Sequence, residues 1–180
     1  MRNRFLKQAS REYSPRQRLA VLPALAVVFV VILPLALLYL GRLLDRALDW
    51  PALLHPPVNA IVGGLMILAG WLLALWTIYL QFTLGRGTPV PVVATQELIV
   101  RPPYSYCRNP MALGAIVLYL GVSVATGSPG AALLWLLGAA ALLTYIRLVE
   151  EQEMVARFGE EYLAYRRRTP FIIPKLRRRG

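Results

Sequence analysis

The sequence predicts an all-α fold: an integral membrane helical bundle of about four transmembrane helices, followed by a C-terminal cytoplasmic helix. Three observations carry that prediction. Of 180 residues, 57% are hydrophobic and only 16% charged, which is too apolar for a soluble domain of this length. Several uncharged stretches approach or reach the length of a bilayer span. The basic residues collect between those stretches and at the termini.

Leu19 to Leu40 is uncharged and long enough to cross ~30 Å of hydrocarbon at 1.5 Å per residue. Pro23 and Pro34 are tolerable there, because membrane neighbours re-satisfy the freed carbonyls, but they should bend the helix. This run ends in Leu-Tyr-Leu-Gly-Arg without a small-residue cleavage pattern, so it reads as a retained helix. Pro57 to Leu84 is the second uncharged stretch. Met111 to Thr126 and Gly130 to Ile146 are shorter and flank the uncharged turn Gly127-Ser128-Pro129, forming a helical hairpin. Beyond Ile146, apolar Leu148, Val155, Phe158, Tyr162 and Tyr165 recur among Glu and Arg, so span four should run on as a polar helix, bent near Gly159. The division expected is residues 1–84, a basic segment with two spans, and residues 85–180, a catalytic region.

Orientation follows from charge. Six basic residues precede span one, three lie between spans two and three, and nine follow span four, so 18 of 20 share one side. Only Arg42 and Arg46 fall opposite. The positive-inside bias therefore puts both termini and the Arg86 to Arg108 loop in the cytoplasm, and the setting expected is a bacterial inner membrane. The formal charge of +11 does not read as a nucleic-acid surface, because it is not spread along one soluble face. A single cysteine, Cys107, excludes an internal disulfide, and no Cys/His spacing fits a metal.

The chemistry concentrates in "RPPYSYCRNPMALG", Arg101 to Gly114. Asn109 is a good N-cap for span three, and Pro110 is at home in a first helical turn. Capping does not explain Tyr104, Tyr106 and Arg108. Those put rings and a guanidinium beside a positive helix terminus, suited to a planar ring or a carboxylate; an aromatic belt with a snorkelling arginine is the competing reading. Five of the nine acids lie between Glu150 and Glu161. Glu153, Glu160 and Glu161 suit a solvated face. Glu150 and Glu151 follow span four within a turn, where carboxylates need a cation or a polar cavity. The hairpin brings loop cations and these acids to one rim, able to hold a zwitterion.

"GTPVP...ELIVRPPYSYCRNPMALG" followed after the hairpin by "EE...MVARFGEEYLAYRRRTPFIIP" resembles the membrane superfamily of isoprenylcysteine carboxyl methyltransferases and phospholipid N-methyltransferases, over Gly85 to Pro174. The resemblance implies S-adenosylmethionine bound at the cytoplasmic end of the hairpin, in a pocket closed by the C-terminal segment and open sideways to lipid. It carries cofactor binding onto Tyr104, Arg108, Asn109, Pro110, Gly114, Glu150 and Glu151. Two positions depart from the family pattern: Asn109 stands where histidine is often found, and Ala112 where an aromatic is often found.

The function expected is methyl transfer to a membrane-resident acceptor, with Arg147 orienting an anionic acceptor or Glu151 taking the proton of an amine. A phospholipid amine leads, because basic flanks gather anionic lipid. An isoprenylated cysteine carboxylate and a small apolar thiol follow. A nicotinamide-dependent sterol reductase and a non-enzymatic lipid-binding protein are the rivals of other classes. Lys175, Arg177, Arg178 and Arg179 are expected only to anchor the tail to lipid.

Overall fold

The computed structural model describes residues 23–85 and 96–175. The basic N-terminal segment, the start of span one at Leu19, the Arg86 to Pro91 part of the loop and Arg177 to Arg179 lie outside the described residues.

Every regular element among the described residues is helical. Helix α1 is Pro23–Ala47, α2 Val58–Thr83, α3 Pro110–Thr126, α4 Pro129–Tyr145 and α5 Glu151–Arg168. Helices α4 and α5 join through a π-helical turn, Ile146–Glu150, in one 40-residue stretch, Pro129–Arg168, that is interrupted at Gly159. Among the described residues three helices are long and apolar enough to cross a membrane, α1, α2 and the α4–α5 helix; α3 is a shorter apolar helix. Only 6%, 17% and 6% of their most apolar windows are buried inside the protein. Leu35, Ile61, Leu65 and Leu72 point outward instead, the inversion expected of side chains that meet lipid.

Two local features have plain causes. Pro34 has no N–H to give the carbonyl four residues back, and the preceding turn, Val27–Ile32, is π-helical, with the Leu33 N–H reaching Val28 O. Within α5, Gly159 leaves the helical region at φ 52° and ψ −129°, a conformation that favours glycine, so the helix breaks where the sequence placed a bend.

The chain divides into two compact units. In the unit formed by Val21–Leu73 and Gly114–Leu142, helices meet through glycine. A Cβ at Gly63 would stand 2.5 Å from Ala125 N, one at Gly121 would stand 2.7 Å from Ile67 N, and one at Gly70 would stand 2.6 Å from Leu118 N. As the α2 number rises its α3 partner falls, so the two helices run antiparallel with backbones in contact. Where lipid is as apolar as leucine, such close approach supplies the van der Waals contact that holds helices together. Polar ties assist: Asn59 Nδ2 donates to Ala125 O at 3.0 Å, Trp135 Nε1 to Ile116 O at 2.9 Å and Tyr119 Oη to Phe29 O at 2.7 Å. Asp45, near the end of α1, accepts from Ser128 Oγ at 2.5 Å and Gly130 N at 2.7 Å, while Ser128 Oγ accepts from Ala131 N. A cap and a carboxylate thus satisfy the start of α4.

The other unit contains Ala74–Leu113 and Leu143–Gly180 and carries the motif residues. Its small apolar cluster is Leu80, Ile99 and Tyr104.

Candidate functional site

The pre-helix motif is folded against the C-terminal segment that follows α5. Arg108 N donates to Pro170 O at 2.8 Å, Asn109 Nδ2 to Phe171 O at 2.9 Å, and Lys175 N to Tyr106 O at 3.0 Å. The amide of Asn109, expected as a cap, ties the start of α3 to the tail. The backbone of Lys175 is bound to the loop, so this part of the tail does more than anchor to lipid.

Arg108 is the hub. Its Nε and Nη2 donate to Glu151 Oε1 at 2.9 and 2.5 Å. Its Nη1 donates to Thr169 O at 2.6 Å and Arg166 O at 3.2 Å, and its guanidinium lies 5.6 Å from the centre of the Phe171 ring. The Arg108 and Glu151 side chains are only 11% and 6% exposed. A buried carboxylate is tolerable because this cation satisfies it, and a buried guanidinium because each of its three nitrogens donates to oxygen. The π-helical turn matters here. One extra residue in the turn rotates the helix beyond it, which begins with the buried Glu151.

Tyr104 is buried: its phenol accepts from Gln81 Nε2 at 2.7 Å, and its carbonyl accepts from the Tyr165 hydroxyl at 2.6 Å. Burial pushes the Tyr104 phenol up, so it stays protonated. Burial likewise pushes the Cys107 thiol up, against the opposing hydrogen bond from the Asn109 backbone, and so disfavours the thiolate. Tyr162 and Tyr165 are buried with ring centres 6.0 Å apart, and Tyr162 stands beside Arg108 and Glu151.

Arg147, Glu151, Gln152, Val155 and Arg166 line an open cleft of about 340 Å³, a volume within the usual range of ligand sites. Glu151 Oε1 faces Arg108, whereas Oε2 has Arg166 Nη1 at 3.9 Å. Arg147 also lies 5.6 Å from the Phe171 ring centre. One carboxylate and two guanidiniums around one cleft match a small molecule bearing both an ammonium and a carboxylate. That fits S-adenosylmethionine by donor chemistry.

Of the residues singled out in the sequence, Tyr104, Arg108, Asn109, Glu151 and Arg147 come together in this unit. Arg108 and Glu151 bind each other directly rather than standing apart. Pro110 is fully buried at the start of α3, and Glu150 is half-buried beside Glu153. Gly114 belongs to the other unit, where its carbonyl would be 2.6 Å from a Cβ at Gly70. Arg166, Gln152, Thr169 and Phe171 were not singled out; "RRRTPF" gave the signal, three cations ending an amphipathic helix before a proline. Among the described residues no group of His, Cys, Asp and Glu is arranged to hold a metal.

A model of the phospholipid methyltransferase family matches residues 58–161, more than half of the chain. Methanethiol S-methyltransferase 2 of Bradyrhizobium diazoefficiens is 28% identical over 118 residues, 59% of this chain. The match spans 43% of that relative's length. No solved structure matches the chain significantly.

Proposed function

The chain belongs to the phospholipid methyltransferase family, and from that premise we propose that it transfers a methyl group from S-adenosylmethionine to an acceptor taken from the membrane. The observation that carries the reading is the cleft in which Glu151 is flanked by Arg147 and Arg166. Bound there, S-adenosylmethionine supplies a methyl group on a positively charged sulfur, open to direct in-line displacement. Displacement of this kind needs alignment and a desolvated nucleophile more than a covalent enzyme intermediate.

The chain's own residues supply that alignment. Glu151 Oε2 accepts from an ammonium, and the guanidiniums of Arg147 and Arg166 hold carboxylate or phosphate oxygens. Arg108 fixes the Glu151 carboxylate from behind, and through Thr169 O and Phe171 it fixes the tail beside the cleft. Val155 contributes an apolar wall. Arg147, exposed and next to the apolar end of α4, orients an anionic headgroup. The excess of basic residues on one side supports a cytoplasmic cleft and cytoplasmic termini, and the membrane in this reading is a bacterial inner membrane.

The acceptor favoured is a phospholipid amine, in keeping with a cationic cleft beside lipid and with the family. A second reading, S-methylation of a small apolar thiol, is favoured by the Bradyrhizobium relative. The test uses the full chain in vesicles containing phosphatidylethanolamine with methyl-labelled S-adenosylmethionine, with and without a short alkanethiol. Label in the lipid supports the first acceptor and label in a volatile sulfide the second. A chain that neither binds S-adenosylhomocysteine nor releases label from the cofactor would overturn the reading.

A further inference from the structure

The end of α1 carries a second cleft, of about 430 Å³, lined by Leu35, Leu38, Tyr39, Arg42, Leu43 and Arg46. Their spacing of three and four residues puts all six on one stripe of the helix. The stripe is apolar along its length and cationic at its end. Arg42 and Arg46 stand one turn apart and take part in no ion pair among the described residues. Asp45, the acid between them, is engaged elsewhere: one oxygen accepts from Ser128 and the other from Gly130. Two like charges at this spacing repel, and the acids beside them, Asp45 and Asp49, form no ion pair with either.

We infer that this stripe binds an anionic phospholipid, its phosphate held between the guanidiniums of Arg42 and Arg46 and one acyl chain lying along Leu38 and Leu35. Arginine is suited to the headgroup because its planar fork meets phosphate oxygens in pairs. Tyr39 is 70% exposed, and its amphipathic ring suits the boundary between headgroup and chain. Below it Leu35, Ile32 and Val31 are 58%, 52% and 46% exposed, a track for hydrocarbon that a soluble anion would not use. A second copy fits poorly, since two-fold pairing of this stripe would set guanidinium against guanidinium. All six residues lie in the unit that lacks the Arg147–Glu151 cleft, so the lipid site does not depend on the methyl-transfer reading.

The test is native mass spectrometry of the full chain released from a non-ionic detergent, titrated with phosphatidylglycerol, with phosphatidylcholine of the same chains, or with inorganic phosphate. The wild-type chain should retain phosphatidylglycerol in preference to phosphatidylcholine. Arg42→Gln with Arg46→Gln should lower phosphatidylglycerol affinity about thirtyfold and leave phosphatidylcholine unchanged, and Arg42→Gln alone should lower it about fivefold. Wild-type thermal unfolding should shift upward with phosphatidylglycerol, and the shift should shrink in the single variant, which keeps the test decisive if the double variant fails to fold. Undiminished phosphatidylglycerol binding in the variants overturns the site. So does inorganic phosphate binding as tightly as the lipid, or a dimer that persists in excess lipid and dissociates on substitution.

Discussion

The helix contacts around Gly63 and Gly70 and the clamp around Arg108 hold their units together by opposite means. In the first, cohesion comes from shape: glycines let backbones touch, and polar groups appear only as isolated ties such as Asn59 to Ala125 O. In the second, cohesion comes from charge and hydrogen bonding, with one guanidinium joining a loop, a helix and a tail through Glu151, Arg166, Thr169 and Phe171. Glycine packing tolerates no added atom but is indifferent to charge; the clamp tolerates small changes of volume but not the loss of a partner. The difference suits a division of labour in which one region is a lipid-facing scaffold and the other keeps fixed charges beside a cleft.

The sharpest way to break the clamp is Glu151→Gln. It leaves Arg108 buried without its carboxylate, which costs about 3–5 kcal/mol for a buried pair. Thermal unfolding in detergent should fall accordingly, a larger effect than any single helix contact should give. An unfolding midpoint near wild type would mean that the pair is effectively solvated.

The scaffold is tested by neighbours. Gly63→Ala drives a Cβ against Ala125 and should cost about 1–3 kcal/mol, as overpacking does. Gly64→Ala, where nothing lies within 4 Å, should be neutral or stabilise by up to about 1 kcal/mol through helix propensity. Equal effects at the two positions would show that close backbone approach is not what holds α2 to α3.

The elements of the scaffold were largely legible in the sequence, because uncharged runs mark helices that have lipid outside them. Pro57 to Leu84 became Val58–Thr83, and Gly130 to Ile146 became Pro129–Tyr145. Register between helices was not legible. Nothing local to Gly63 names Ala125, and the resemblance that assigned Gly114 to the cofactor gave no hint of its contact with Gly70. In the clamp, sequence reasoning found Arg108 and Glu151 because cations and acids at a membrane rim require a cause. It brought them to one rim around a zwitterion; that they bind each other, 43 residues apart, shows only once the tail and the π-helical turn are in place. The tie from Asp45 to Ser128 was hidden for the same reason: its two partners are 83 residues apart.

That tie gives the smallest of the expected effects. Ser128→Ala removes the cap on Ala131 N and the hydroxyl that meets Asp45, which should lower stability by about 0.5–2 kcal/mol, as loss of an N-cap does. Amide exchange in the first turn of α4 should quicken without change in α5. Quickening in both alike would mean that the two regions unfold as one.

Glu151 is assigned to a ligand as well as to the clamp, and an isosteric apolar pair separates the two roles. Replacing Arg108→Met and Glu151→Leu together removes both buried charges, and such replacements are often neutral, so thermal unfolding should recover most of the Glu151→Gln loss, short of wild type by what the Thr169 and Arg166 carbonyls lose with their donor. S-Adenosylhomocysteine affinity, measured by calorimetry on the same preparations, should not return: loss of a charge-assisted bond to the ligand weakens it by about 1.5–3 kcal/mol, roughly 10- to 150-fold. Wild-type affinity in the stable doubly substituted chain would contradict that assignment and reduce the Arg108–Glu151 pair to a latch for the tail.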